Sequence, residues 1–519
     1  MQRLLATQRN FTGGLNLRAD QFQLQASESP SLMNVDVDPR GGVKTRKGVE
    51  PWASAHPATD THTVLSFRPA SGSRQTIVGI VGGDVYRSTG GSWSSIKTDN
   101  TVDTKLAGVQ FNDVFYMQNG TDQPIKWTGS TATRLGQTWG AEDVTTNTDA
   151  GMPIGKCIAA HNGHVWVANT LESSVQKKSR VRFSHPDHAE DWYTNDYIDI
   201  DTGVDGDEIV AIEPFRDHLL VYKTSSIHAI YGWDRDTFQV QTITREMGAI
   251  GPYAVSAGPT GVYHWAPGSG VWEYGPKGFK YLFQNLLPLI DDEFLSASST
   301  TRYVVRHLGN RLWCSVPDSA STKRTFVMDP TVDNAWVEYD LPIVDAVDVP
   351  AAPSDSGILC IAAVDDGDTW VGVAKLEVDA AFDTLGWTEG DRRAISSWWT
   401  TPWFDMNEPA VKKRFYRPYF TLLSSTTDPI NVKVFRDYDT TSYAKMFTVT
   451  PTLNATAGVW DTSLWDDAVW GSGGTKHDVV RGSALGQCRA VQLKFTGPDT
   501  QTRWGLDSVS LTYVPRKVR

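Results

Sequence analysis

"IAAHNGHVWVA", residues 158–168, decides the fold. An apolar run from Ile158 to Ala160 meets a polar corner at His161-Asn162-Gly163-His164. An apolar-aromatic run, Val165-Trp166-Val167, follows. Asn-Gly tolerates positive φ at both positions, as a two-residue β-hairpin turn demands. The same figure recurs in "VGIVGGDVYRS" (78–88), "GVQFNDVFYM" (108–117) and "AIEPFRDHLLVY" (211–222). It returns in "VSAGPTGVYHW" (255–265), "VVRHLGNRLWC" (304–314) and, more weakly, "IAAVDDGDTWVGV" (361–373). The strands after the turns centre near Val85, Phe115, Val165, Leu220, Tyr263, Leu312 and Trp370. Most gaps approach the ~40–50 residues of a four-stranded propeller blade. The first gap is short, so its hit reads as an inner hairpin rather than its own blade. No WD or kelch signature is present, and spacing carries the reading. The expectation is an all-β chain with a six- or seven-bladed β-propeller-like domain over residues 61–380. The competing arrangement is a run of hairpins from stacked sandwiches.

Composition agrees. The 519 residues include 20 Trp, 17 Tyr and 19 Phe, which suit pleated, half-buried surfaces, and 44 Gly and 26 Pro to supply turns. The formal net charge of -12 argues against a general nucleic-acid binder, which needs clustered Lys and Arg. Cys157, Cys314, Cys360 and Cys488 lie far apart, so neither a disulfide framework nor a zinc ribbon is indicated. The start, "MQRLLATQRNFTGG", lacks the apolar stretch of a signal peptide. No run nears the roughly 18 apolar residues of a membrane span. The expected place of synthesis is a reducing cytosol.

After about residue 380 the blade period stops. "ISSWWTTPWFDM" (395–406), "KRFYRPYFTLLSS" (413–425), "INVKVFRDYD" (430–439), "CRAVQLKFTG" (488–497) and "LDSVSLTYVPR" (506–516) are longer alternating strands. They predict one antiparallel β-sandwich, with a jelly roll as one form open to it, over residues 381–519. Residues 1–60 are expected to form an N-terminal arm with a hairpin at "MNVDVDPRGGVKTRKG" (33–48). There Val35 and Val37 alternate with Asp36 and Asp38, Pro39 to Gly42 turn, and Val43 and Thr45 resume the alternation. Lys44, Arg46 and Lys47 are expected on a solvated or interface face. "NLLPLIDDEFLSA" (285–297) has helical spacing with Pro288 in the first turn. "TWGAEDVTTNTDAGM" (138–152) and "NTLESSVQKKSR" (169–180) read as long polar loops.

The search for chemistry returns little. H-E-x-x-H, the phosphate-binding G-x-x-x-x-G-K-[ST] and a strand-borne G-x-G-x-x-G are all missing, and "GSGGTK" (471–476) reads as a turn. A calcium loop from Asp36 would need carboxylates where Arg40 and Lys47 stand. The run "DIDTGVDGDEI" (199–209) has Val204 where such a loop turns on Gly and Val210 where it closes on Glu. It reads as an inter-strand turn, so no metal or cofactor is expected. A sialidase-like hydrolase would repeat S-x-D-x-G-x-x-W turns, and the sequence offers "STGGSW" (88–93) without the Asp. No catalytic residue is assigned, and the chain is not expected to be an enzyme. In "VWDTSLWDDAVWG" (459–471), Trp460, Trp465 and Trp470 stand five apart. They are candidate packing or interface aromatics. A sugar platform is the alternative.

Four stretches resemble a known family. They are "NFTGGLNLRADQFQLQASESPSLMNVDVDPRGGVKTRKGV" (10–49), "RVRFSHPDHAEDW" (180–192), "GDEIVAIEPFRDHLLVYKTSSIHAIYG" (206–232) and "RRAISSWWTTPWFDMNEPAVKKRFYRPYFTL" (392–422). Together they resemble the tail hub or nozzle proteins of short-tailed bacteriophages, also called stabilisation or tail tubular proteins. The resemblance implies a propeller with further β domains and no catalytic residues. It implies a virion tail protein, made and assembled in the host bacterial cytoplasm, with six copies forming a ring. That ring would meet the portal-proximal adaptor and a tail fibre, spike or needle. DNA would pass through it without specific binding, held in until ejection. A minor tail or baseplate protein of a long-tailed phage is the nearest alternative. A carbohydrate-binding or glycoside-cleaving propeller is the alternative from another class. If a polyanion must pass quickly, an acidic wall is expected, because each Lys or Arg on phosphate makes the bore adhesive. The candidate channel-facing acidic loops are Asp199, Asp201, Asp205 and Asp207, and Asp365, Asp366 and Asp368. Lys177-Lys178 and Lys412-Lys413-Arg414 are expected to face neighbouring proteins.

Overall fold

A computed structural model describes residues 3–53, 61–80, 82–101, 105–137, 151–203, 206–290, 303–317, 323–341, 343–349, 359–365, 371–384, 392–424, 428–451, 476–498, 500 and 502–516. Seven antiparallel four-stranded sheets stand among these residues. Their first strands are Thr61–Phe67, Ala107–Phe111, Ile154–His161, Ile209–Phe215, Val255–Ala257, Val304–Leu308 and Ile343–Val349. Each touches the first strand of the next sheet, and the seventh touches the first. That closed ring of inner strands makes a seven-bladed β-propeller.

Every hairpin read from the sequence marks one blade. Five are the first and second strands of blades 2 to 6; those of blades 1 and 7 are the second and third strands. This displacement accounts for the short first gap. The turns behave as their residues require: Asn112, Asn162, Gly163, Gly309 and Asn310 all have positive φ. Residues 169–180 correct the loop expectation. They complete a long hairpin, His164–Glu172 with Val175–Phe183, closed by Ser173 and Ser174 at φ 48° and 63°. Asn169 and Thr170 are buried, while the polar tip from Ser173 to Lys178 projects into solvent. Short helical turns at Gln284–Leu286 and Leu287–Leu289 open the expected helix, with Pro288 in the first turn. Residues 291–297 lie outside the described residues.

The N-terminal segment does not stand apart as an arm. Leu4–Gln8 pairs with Trp504–Pro515 in one sandwich sheet, and Leu32–Met33 pairs with Trp398–Thr400 in the other. The hairpin Val35–Val37 with Val43–Thr45 forms as expected and adds to Trp504–Pro515. Gly48–Pro51 then crosses to the propeller and becomes the outermost strand of blade 7, against Val371–Val378. The segment therefore closes the ring and stitches both domains. Gly48 lies so close to the carbonyls of Phe382 and Ala380 that a Cβ would not fit.

The C-terminal domain is the expected sandwich. One sheet is built on Tyr419–Ser424 and Trp504–Pro515, the other on Ile430–Arg436 and Val491–Thr496. Phe420 meets Phe495 edge-to-face at 5.1 Å between them. A continuous buried core runs from Phe495 and Leu506 through Val35 and Trp399 to Trp313 and Trp336 of blade 6. Two domains and the N-terminal segment thus share one apolar interior.

Candidate functional site: the propeller channel and the domain joint

The inner strands enclose a cavity of about 360 Å³ on the propeller axis, lined from all seven blades. Inner strands buried on both faces should read as apolar. Four carry charged residues instead: Lys156 in "IGKCI", Glu213 in "AIEPF", Arg306 in "VVRHL", and Asp345 with Asp348 in "IVDAVDV". Lys105 precedes the inner strand of blade 2.

These residues bridge the channel. The Lys105 ammonium donates to the Pro252 carbonyl of blade 5 at 2.5 Å and lies 3.9 Å from the centre of the Tyr253 ring. The Tyr253 hydroxyl is 3.2 Å from Thr63 Oγ1 of blade 1. Arg306 places Nε and Nη2 on Asp345 Oδ1 at 3.0 and 2.9 Å, and Nη1 donates to the carbonyls of Tyr253, Val255 and Val305. Asp345 Oδ2 accepts the Val64 N–H at 3.0 Å. Cys157 Sγ donates to the Val210 carbonyl at 3.3 Å, tying blade 3 to blade 4.

Arg306 and Asp345 neutralise each other. Among the described residues Lys105 and Glu213 have no such partner. Burial lowers the Lys105 ammonium to about 7, with the Arg306 charge adding to the effect. Burial likewise raises the Glu213 carboxyl to about 7, partly opposed by Arg306 and the Ala257 N–H. Burial pushes the Cys157 thiol up to about 12, which leaves it a poor nucleophile at neutral pH.

A second charged cluster lies at the domain joint. Arg46, fully buried, forks onto Asp383 with contacts of 2.8 and 2.6 Å. It also reaches Asn34 Oδ1 at 2.9 Å and Asp340 at 3.2 Å. Burial opposes its charge, but Asp383 outweighs burial and raises its pKa. Arg311 of blade 6 donates to Asp36 at 2.9 Å and Glu377 at 3.0 Å, and the Tyr339 hydroxyl donates to Asp36. Of the solvated or interface face expected for Arg46, the solvated one is excluded: the hairpin is sandwiched between domains and Arg46 is buried there. Asp36 serves as an ion-pair partner inside the joint.

The sequence-derived acidic candidates fall at the rim of blades 3 and 4. Asp199 ends the outermost strand of blade 3 and takes both arms of Arg180 at 2.7 Å. Asp201 pairs with Arg245 at 2.9 Å. Asp207 is buried; burial works against its charge, but hydrogen bonds from Ser226 and Ser225 outweigh it and lower its pKa. Lys223 stands 3.4 Å away. Lys177, Lys178, Arg180, Asp199 and Asp207 share one rim groove of about 380 Å³. Asp199, Asp201 and Asp207 are each within reach of a cation, Arg180, Arg245 and Lys223 in turn. Asp365 ends the strand Leu359–Asp365. Asp205, Asp366, Asp368, Trp460, Trp465 and Trp470 lie outside the described residues.

Lys413 also departs from expectation. It is buried, donating to the carbonyls of Glu408, Val411 and Arg489, while Arg414 stays exposed. The channel charges were missed in the sequence, although a lone charge inside an apolar pre-turn strand was a readable signal. Among the described residues no three His, Cys, Asp or Glu side chains converge as metal ligands.

No family model matches the chain, and no curated protein matches it. Among solved structures, the chain is similar to BBS1N, crystallised in complex with ARL6DN. The identity is 10%, the TM-score 0.40, and the match covers 64% of this chain and 96% of that one. It is similar to YCF48 bound to D1 peptide at 9% identity and TM-score 0.38, covering 67% of this chain and 98% of that one. It is similar to PorZ, a surface component of the type-IX secretion system of Porphyromonas gingivalis, at 11% identity and TM-score 0.38. That match covers 83% of this chain and 60% of that one.

Proposed function

We propose that the chain is a structural protein of a bacteriophage tail, a nozzle or hub. Copies of it form a ring, six by the family resemblance, that extends the DNA channel below the portal-associated adaptor. The ring retains the genome and takes part in its ejection. One observation carries the reading: the stretches that carry the family resemblance supply buried residues that join the parts of this molecule. Residues 10–49 supply Phe11, Val35, Arg46 and Val49, all buried between the domains. Residues 392–422 supply the buried Trp399 and the sandwich strand Tyr419–Ser424. Residues 180–192 place Trp192 under blade 3, its Nε1 donating to the Ala189 carbonyl at 2.9 Å. A rigid two-domain unit suits a part that transmits force between neighbours.

The propeller axis is crossed by Lys105, Tyr253 and Arg306, so in this reading DNA passes between copies, not through one propeller. The net charge of -12 per chain supports a wall that does not grip phosphate. The test is electron microscopy of the purified full chain together with its mass in solution. Six-fold rings with an open axis are expected. A chain that stays monomeric up to its solubility limit, or binds duplex DNA tightly and salt-sensitively, would contradict the proposal.

A further inference from the structure

We infer that the propeller channel is a binding site for a small zwitterion of about amino-acid size, held between Lys105 and Glu213. The inference is independent of the tail reading. Both residues line one cavity of about 360 Å³, and they feel each other's charge without a hydrogen bond between them.

Each has capacity left over. An ammonium has three donors; Lys105 directs one to the Pro252 carbonyl and sets its charge against the Tyr253 ring. A carboxylate has about four acceptor sites, and Glu213 meets one backbone N–H, that of Ala257. The other strong pair in the cavity is closed on itself: Arg306 spends its donors on Asp345 and three carbonyls. Of the other charged lining residues, Lys156 pairs with Glu208 and Asp348 accepts the Gly309 N–H. Among the described residues this leaves Lys105 and Glu213 as a cation and an anion on one cavity without an ion pair. A ligand with one charge would satisfy one group and leave the other desolvated. A molecule with a carboxylate near an ammonium satisfies both and brings no net charge into the cavity. The volume exceeds an amino acid's and leaves room for bridging water.

The experiment uses the full-length protein at pH 7 with glycine and L-alanine as probes, and acetate and methylammonium as single-charge controls. Binding is read by calorimetry and by the rise in melting temperature. Saturable binding of a zwitterion is expected, with neither control matching it. In Lys105→Met and in Glu213→Gln the affinity should fall about tenfold or more. Both variants replace a half-buried charge by a group of similar shape, and circular dichroism and cooperative unfolding check that they fold. Amino acids at high concentration stabilise proteins by exclusion from the surface. A rise that does not saturate, or is the same in wild type and both variants, overturns the inference. So does a heat of binding from acetate alone equal to that from glycine.

Discussion

The channel and the domain joint both bury charge, but they treat it in opposite ways. At the joint every buried charge meets its opposite: Arg46 with Asp383, Arg311 with Asp36 and Glu377. In the channel one pair is closed, Arg306 with Asp345, while Lys105 and Glu213 are held apart. A paired buried charge fixes register and orientation between elements. An unpaired one stores unfavourable energy that a ligand or a proton can release. The comparison separates a region that holds the molecule together from a region poised to bind.

The largest effect is expected at the joint. Asp383→Ala leaves the Arg46 guanidinium buried without its main partner and should cost about 3–5 kcal/mol in denaturant unfolding. The double change Arg46→Met with Asp383→Leu should recover most of that loss, because both desolvation penalties disappear together. If the single and double variants were equally unstable, packing and not charge would dominate the joint.

A smaller effect is expected in the channel, with an inverted sign. Glu213 has a folded pKa of about 7 against an unfolded value near 4.5. Between those limits the folded state binds more protons, so stability falls as pH rises from about 4.5 to 7. Lys105 has a folded pKa of about 7 against an unfolded value near 10.5. Above pH 7 the unfolded state binds more protons, so stability rises again with pH. His264, buried between blades 4 and 5 with its pKa lowered to about 3 by burial, acts oppositely to Glu213 on the acid side. The reading must therefore come from difference profiles. Glu213→Gln should stabilise the protein relative to wild type above pH 7 by on the order of 1–2 kcal/mol, after allowing for channel water. Lys105→Met should stabilise it below pH 7 and lose that advantage towards pH 10. Flat differences would mean that both groups are better paired than the channel geometry gives them.

The smallest effect is expected at the rim. Asp199→Asn breaks its fork with Arg180, yet Arg180 keeps Glu172 at 3.0 Å. The pair is part-exposed, so the loss should stay below about 1 kcal/mol by thermal unfolding. A loss as large as that of Asp383→Ala would erase the distinction between rim and joint.

What was legible in the sequence was local. Asn162-Gly163 and Gly309-Asn310 demand positive φ, and each announces a hairpin without help from the rest of the chain. Seven such announcements gave the propeller. Pairings across long separations left no such mark. Nothing near Gly48 says that it will meet Val378, so the closing strand of blade 7 was read as part of an arm. The hairpin of residues 169–180 failed for a different reason. Its tip projects into solvent and its buried part begins with the polar Asn169 and Thr170, so the stretch lacks the apolar alternation that identifies a half-buried strand. At the channel the sequence did carry a signal, charged residues inside four apolar strands. Its meaning depended on those strands meeting around one axis.

The central functional claim, a place in the phage tail, is tested most directly by gold-labelled antibody against this chain on intact particles, viewed by electron microscopy. The account predicts label confined to the tail, below the portal vertex, on particles that still hold their genome. Particles without label, or label on the capsid or host surface, would contradict it.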